Sequence, residues 1–252
     1  VDIGFLLRLE AEMKKHPSLS GDHALICRQL ERLNSEGHDL QLHIHPHWED
    51  SYYDGDKWIC DVRRYKLADF SSAEVSDIVH RYYHRLAGFT DTANINAYRA
   101  GGWCVQPFDI LRTPLREKGI RIDSSVFANG HYQSEQYAYD FRGAPLAGRW
   151  KFEMDPMTPA EDGSFTEIPI SSIHNSPLFY WRLFLLGRIN PHQHKPLGDG
   201  VPVAAPGQRF GLLTRWTYNT VSVDGYNASL LHRALRQHQR LKKSDMVIIG
   251  HP

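Results

Sequence analysis

The chain has few cysteines, no surplus of basic residues and no long apolar run, and each of these features would indicate a particular class of protein. It has three cysteines, Cys27, Cys60 and Cys104, and an odd set of thiols does not form a disulfide framework. Its 29 Lys and Arg residues equal its 29 Asp and Glu residues, so it lacks the basic surplus of a nucleic-acid binder. It also has no apolar run near the roughly 20 residues that span a bilayer. We therefore expect neither a nucleic-acid partner nor a membrane partner.

The rest of the composition is that of a folded protein. Hydrophobic residues make up 41% of the 252 residues and charged residues 23%, which excludes a disordered or collagen-like chain. No repeat, low-complexity tract or linker interrupts the chain, so we expect a single domain over residues 1–252. The opening from Val1 resembles the end of a strand. We therefore expect that an N-terminal strand–helix unit is missing before it.

Apolar strands alternate with amphipathic helices along the chain. The hydrophobic spacing predicts helices at 6–15, 23–34, 71–87, 107–118, 178–186 and 229–241. It predicts strands at 39–45, 95–98, 120–122, 167–170, 221–223 and 246–249. Hairpins are expected between 128 and 165, and a long loop from 190 to 211. Such alternation is typical of a parallel α/β architecture.

Three of the 15 histidines lie at the end of one predicted strand. His43 and His45 share a strand face and would lie about 6.6 Å apart, which is close enough to chelate a metal. His43 and His47 would be about 13 Å apart on a continued strand, but Pro46 favours a turn that brings His47 back. The pattern predicts a metal site. The alternative is a polar loop with surface histidines.

Three other predicted strands end in polar residues. Arg99 precedes the Gly101-Gly102 turn, where a backbone can approach a ligand closely. Asp123 precedes two serines, and His251 follows an apolar strand. Each has an ordinary structural explanation, namely a salt-bridged rim arginine, a turn-forming aspartate and a structural histidine. Because all of them follow strands, as the histidine cluster does, we expect one site at the carboxyl ends of the strands.

These motifs resemble those of the polysaccharide deacetylase family, which are metal-dependent carbohydrate esterases. The matching segments are Gly37-His38-Asp39 with His43 and His47, Arg99 with Gly102-Trp103, Gly119-Ile120 through Asp123-Ser124-Ser125, and His251-Pro252. The resemblance covers most of the chain in order. It implies a distorted, incomplete (β/α) barrel of about seven strands.

The resemblance also implies a reaction and its residues. His43 and His47, with a carboxylate, would hold a divalent metal, with zinc the expected ion. Arg99 would orient a catalytic base, His251 would protonate the leaving group, and Asp123 would tune the site. The implied substrate is an acetylated sugar or polysaccharide, most simply an N-acetyl sugar.

Aromatic residues near these motifs are candidates for binding the sugar. Trp48, Trp58, Tyr52 and Trp103 have rings that could stack on sugar faces, although loop aromatics often serve local packing instead. An odd number of cysteines and the lack of a signal segment predict a cytoplasmic protein. The sequence leaves the oligomeric state open.

The chain departs from the family in lacking the Asp-Asp pair that supplies the third ligand and the base. We expect this pair either upstream of Val1 or absent, since Asp2 is a poor substitute. Two other functions remain open. One is an amidohydrolase-like metallohydrolase that uses His43 and His45 as its ligands. The other is a non-catalytic carbohydrate-binding protein built on the same barrel.

Overall fold

A computed structural model describes residues 2–189, 208–224 and 230–250 of the chain. These residues form two compact units. The first unit contains the described residues up to Val126, together with 131–140 and 150–167. The second contains 127–130, 141–149 and the described residues from Ile168 onward.

The first unit has four α-helices, three of which bury residues at helical spacing, whereas Ser20–Ser35 buries only Leu30. They are α1 (Ile3–Met13), α2 (Ser20–Ser35), α3 (Ser72–Leu86) and α4 (Asp109–Glu117). Helix α3 confirms the helix that the sequence predicts at 71–87, and Ser71 is its N-cap. The Ser71 hydroxyl accepts a hydrogen bond from the Glu74 backbone, and the Glu74 carboxylate accepts one from Ser71. This capping box satisfies two backbone donors that the first turn would otherwise leave open.

Nine short strands complete the first unit. They are β1 (Leu42–Ile44), β2 (Tyr52–Tyr53), β3 (Trp58–Ile59), β4 (Ala97–Ala100), β5 (Ile122–Asp123), β6 (His131–Gln133), β7 (Ala138–Asp140), β8 (Trp150–Phe152) and β9 (Phe165–Glu167). Five of them form one sheet in the order β1-β4-β5-β9-β8. The pairs β1–β4, β4–β5 and β5–β9 are parallel, and β8 is antiparallel to β9. The protein therefore has a mixed α/β fold with a mostly parallel sheet.

Alternation along the strands sends apolar side chains to the core and polar ones to the other face. Leu42 and Ile44 of β1 are buried, whereas His43 between them is half-buried. Tyr98 and Ala100 of β4 are also buried. This is the alternation that the sequence predicts for 39–45, although the strand itself covers only three residues. Polar side chains are thereby presented where neighbouring parallel strands end.

The second unit is built around a two-stranded antiparallel sheet of β10 (Ser172–Asn175) and β11 (Thr217–Thr220). The helices in its described residues are α5 (Pro177–Ile189), α6 (Gln208–Thr214) and α7 (Leu231–Arg240). Ile173, Val221 and Ala234 form a buried apolar cluster. No helix in the described ranges is both long and apolar enough to cross a bilayer.

Several predicted strands have different bounds in the structure. The strand expected at 167–170 is β9, which ends at Glu167, because Pro169 has no backbone N–H to continue the ladder. Near the end of the chain, the strand expected at 246–249 is reduced to one bridge between Ile249 and Ser222. In the loop expected at 190–211, positions 208–211 begin α6, and 190–207 lie outside the described residues.

Candidate active site

The first component of the site is a histidine whose ring is fixed by the neighbouring strand. His43 in β1 lies opposite Arg99 in β4, and its Nδ1 is 2.9 Å from the Arg99 carbonyl oxygen. A carbonyl only accepts, so Nδ1 carries the hydrogen and the lone pair is on Nε2. Burial, followed by the charge of His45, lowers the pKa of His43 to about 4. His43 is therefore a neutral imidazole at pH 7, held as metal-binding histidines are held.

An aspartate joins this cluster from the start of the chain. Asp2 forms a parallel bridge with His43, and its Oδ2 accepts hydrogen bonds from His45 Nδ1 and Trp48 Nε1, both at 2.9 Å. Burial acts to raise the pKa of Asp2. The hydrogen bonds and the charge of His45 outweigh this effect and leave the pKa below its ordinary value. Asp2 is thus an ionised carboxylate placed among the histidines.

Sequence reasoning did not assign Asp2 to the site. It predicted the first helix from residue 6, whereas α1 begins at Ile3 and the Asp2 side chain accepts a hydrogen bond from the Gly4 backbone. The available signal was an acidic residue that follows an apolar position and directly precedes a helical pattern. In α/β proteins this is a place where a strand end presents a functional side chain.

The third histidine lies in the turn that Pro46 predicted. His47 lies in a short 3-10 helix, Pro46–Glu49, rather than on a continued strand. The His45 ring lies between the other two, with centroids 4.5 Å from His43 and 5.6 Å from His47. His47 stacks on Tyr65 at 5.4 Å, and its buried Nδ1 has no hydrogen-bond partner in the described part of the chain. Burial, followed by the charge of His45, lowers the pKa of His47.

Two helices hold the 3-10 segment in place. Arg8 of α1 donates from Nε to the Trp48 carbonyl at 2.8 Å. Arg81 of α3 forms an ion pair with Glu49 at 2.9 Å, and Tyr82 donates to the same carboxylate at 2.8 Å. Contacts from the first and third helices therefore fix where His47 lies.

The backbone at Gly101 makes a close approach, as the sequence predicts for the Gly-Gly turn, but it approaches His45 and Ile44 of the protein and not a ligand. A Cβ atom built on Gly101 would lie 2.0 Å from Cδ2 of His45 and 2.5 Å from the Ile44 carbonyl oxygen. At Gly102, which has a φ of +57°, it would lie 2.6 Å from the Tyr65 ring. The Gly-Gly turn after β4 therefore makes room for the histidine cluster and for Tyr65.

Arg99 has partners other than the carboxylate expected for it. Its guanidinium donates to the Ser124 carbonyl at 2.7 Å and to the Ser124 hydroxyl at 2.9 Å. Asp123 instead accepts from the Ser125 hydroxyl at 2.8 Å and from the Ser125 backbone at 3.2 Å. Within the described residues, Arg99 therefore braces the turn after β5, and Asp123 serves that turn as the alternative interpretation predicted.

A second carboxyl lies beside Asp123 that the sequence did not single out. Glu167 ends β9 directly opposite Asp123 of β5, and both side chains are buried. Burial raises the pKa of both groups, and the charge of Asp123 adds to the effect on Glu167. Glu167 Oε1 accepts from the Val126 backbone at 3.1 Å. The signal for Glu167 was an acid within an apolar strand segment, which sequence reasoning treated only as the start of a strand.

The predicted sugar-binding aromatics have separate environments. Trp48 and Trp58 pack against Phe5, with ring centroids 4.8 and 5.1 Å away, so they contribute to local packing. Tyr52 is exposed in β2. Trp103 has a positive φ and contacts Tyr139 edge-on at 5.7 Å.

A row of rings that the sequence did not indicate extends from His47. Successive ring centroids are 4.8 to 6.4 Å apart along this row. Its members after His47 are Tyr65, Tyr137, Tyr132, Tyr139 and Trp103. We call it the aromatic row, and it links a predicted sugar-binding residue to the histidine cluster.

The histidine cluster contains ring nitrogens of the kind that bind the expected zinc ion. Over the ranges that the structure describes, no three His, Cys, Asp or Glu side chains are already arranged to hold a metal ion. The free Nε2 of His43 and the orphaned Nδ1 of His47 are nevertheless donors that suit zinc. The residues therefore fit such an ion in kind. His251, the expected proton donor, lies outside the described residues.

Comparison with known proteins adds no assignment. No protein-family model, curated protein or solved structure matches this chain.

Proposed function

We propose that this chain is a metal-dependent hydrolase that removes acetyl groups, most simply N-acetyl groups, from a sugar or polysaccharide. The observation that carries the proposal is the His43 ring, fixed through Nδ1 by the Arg99 carbonyl at the carboxyl ends of β1 and β4. Two further histidines and an ionised aspartate adjoin it. In keeping with the family resemblance, we propose that the five-stranded sheet belongs to a distorted barrel of about seven strands.

Each residue has a role that follows from its contacts. His43 and His47 would hold the divalent metal, with zinc the expected ion. When bound, such an ion polarises a carbonyl and lowers the pKa of water towards about 7. Asp2 accepts a hydrogen bond from His45 Nδ1 and so fixes the orientation of that ring. Arg99 positions the backbone of the site, and His251 is the proposed proton donor.

The aromatic row supports a sugar as the substrate. Aromatic rings bind the apolar faces of sugars, and this row begins at Tyr65, which is stacked on His47. Trp103 at its far end keeps its proposed part in substrate binding. Trp48 and Trp58 are better explained by packing against Phe5.

Metal content measured by mass spectrometry tests the proposal. We expect about one zinc per chain after reloading, lost in His43→Ala and His47→Ala and kept in His45→Ala. His80→Ala, a change at an exposed histidine of α3 outside every motif above, is the matched control. Acetate release from acetylated sugars should be lost in all three cluster variants and kept in the control. Absence of metal from the reloaded wild type would overturn the proposal and favour a protein that only binds carbohydrate.

One observation favours a second candidate. The His43 and His45 rings are the nearest pair in the cluster at 4.5 Å, and the Asp2–His45 hydrogen bond is of the kind that orients a metal ligand. An amidohydrolase-like site would use these two histidines. Metal lost in His45→Ala and kept in His47→Ala would establish that candidate instead.

A further inference from the structure

Helix α5 turns a stripe of large apolar side chains to solvent. Leu178, Trp181, Leu185 and Ile189 are between 50% and 77% exposed. They are spaced three, four and four residues apart, so they lie on one face of the helix. Scattered exposed leucines are ordinary, but a continuous apolar face indicates an interaction surface.

The opposite face of α5 is fixed to the second unit. The buried Tyr180 has its hydroxyl 2.9 Å from Thr217 Oγ1 and accepts from Asn219 Nδ2 at 2.6 Å, both in β11. The Arg233 guanidinium lies 4.8 Å from the centre of the Phe179 ring. Because these contacts set the rotation of the helix, the outward direction of the apolar stripe is part of the fold.

Helix α6 lies against α5 and also exposes large apolar side chains. Trp181 Nε1 donates to the Leu213 carbonyl at 3.1 Å, which joins α5 to α6. Phe210 and Trp216 in and beside α6 are 74% and 63% exposed. We call these six side chains the apolar face: Leu178, Trp181, Leu185, Ile189, Phe210 and Trp216.

The charged residues in the segments that carry the apolar face indicate the kind of partner that it would bind. Segments 177–189 and 208–220 contain four arginines and no acidic residue. On the α5 wheel, Arg182 and Arg188 lie about 40° and 80° to either side of Leu178, so they border the stripe. Apolar side chains with tryptophan, bordered by arginines whose stems can reach outward, suit the headgroup region of an anionic bilayer.

We propose that the apolar face docks on the surface of an anionic lipid bilayer. Helix α5 has 13 residues, about 20 Å at 1.5 Å per residue, so it is shorter than the roughly 30 Å hydrocarbon core and would lie in the plane of the headgroups. A second copy of the chain fits less well, because two such faces would bring arginines together with no acidic partner. The sequence expectation of no membrane partner considered only spanning segments.

Sedimentation of the full chain with lipid vesicles tests this proposal. We expect binding to vesicles containing about 30% phosphatidylserine that is at least about tenfold tighter than to phosphatidylcholine alone, and that weakens with salt. The double variant Leu178→Ser/Leu185→Ser should reduce it by about tenfold or more. Arg182→Gln/Arg188→Gln should remove most of the preference for the anionic lipid. The control is Leu25→Ser/Leu241→Ser, whose leucines, in α2 and directly after α7, are 59% and 60% exposed.

Four results would overturn the proposal. The first is no binding to either vesicle, and the second is an equal loss of binding in the control variant. The third is a concentration-dependent dimer of the wild type that Leu178→Ser/Leu185→Ser abolishes, which would assign the face to a second copy. The fourth is a melting temperature that this variant lowers far more than the control does, which would mean that the chain itself covers the face.

Discussion

At the scale of single residues, the buried pair of Asp123 and Glu167 links the interior of the sheet to pH. Glu167 Oε2 is buried and has no hydrogen-bond partner within the described residues, and Glu167 lies opposite Asp123 in the pairing of β5 with β9. Burial raises the pKa of both carboxyls, that of Glu167 well above its ordinary 4.5. The folded chain thus keeps a proton that the unfolded chain releases.

This difference gives a sign for the pH dependence of stability. A carboxyl whose pKa is raised on folding stabilises the native state fully below its ordinary pKa, and this contribution is lost as pH rises through the folded value. We expect Glu167→Gln to flatten the decline in unfolding free energy above about pH 5, since the amide donates to Asp123 without titrating. Urea unfolding of the wild type and of Glu167→Gln at a series of pH values measures this decline in unfolding free energy.

The matched control for this prediction is Glu153→Gln. Glu153 has a pKa lowered to about 2 by hydrogen bonds from Ser164 and Arg112, and it is solvent-accessible. Its replacement should leave the decline above pH 5 unchanged. An unchanged decline in Glu167→Gln as well would show that the pair does not hold a proton.

At the scale of secondary-structure elements, α3 is the helix whose start the sequence defines best. The capping box of Ser71 and Glu74 joins residues three apart, so it needs no knowledge of the rest of the fold. We expect Ser71→Ala to lower the unfolding free energy by about 1 kcal/mol. Ser35→Ala, at the exposed end of α2, should change it by less than about 0.5 kcal/mol. Equal effects of the two changes in urea unfolding would contradict a capping role for Ser71.

Strands were harder to predict than helices because few residues define them. β5 has two residues and β9 three, too few for alternation to fix their bounds. The apolar run after Glu167 predicted a strand there, but Pro169 ends the ladder. Helix α1 begins three residues earlier than expected, because Asp2 caps it through a side chain whose role depends on tertiary contacts.

At the scale of the whole molecule, the sequence predicted which polar residues follow strands but not which of them meet. His43 and Arg99 meet because β1 and β4 are neighbours in register, and Asp123 meets Glu167 because β5 pairs with β9. Strand order is a property of the assembled sheet, and the local hydrophobic pattern of a segment does not determine which strands become its neighbours. The same limit explains why Asp2, Tyr65 and Glu167 were missed, since each joins the site through contacts distant in sequence.

The balance of charges makes a prediction for the whole chain. With 29 basic and 29 acidic residues the net charge is +0 at pH 7 and the sequence pI is about 7.4, so electrostatic repulsion between molecules is weakest there. The chain has 15 histidines, and histidine is the residue type that gains positive charge as pH falls from 7 to about 6. Burial lowers the pKa of His43, His47 and His238, so these add less.

We therefore expect attraction between molecules near pH 7.4 to become repulsion near pH 6 at constant ionic strength. The second virial coefficient from static light scattering should rise from negative to positive over this range. Attraction that persists at pH 6 would contradict control by charge. In that case Leu178→Ser/Leu185→Ser identifies the cause of the attraction. Loss of the attraction in this variant would assign it to the apolar face, because the exposed apolar side chains do not change charge with pH.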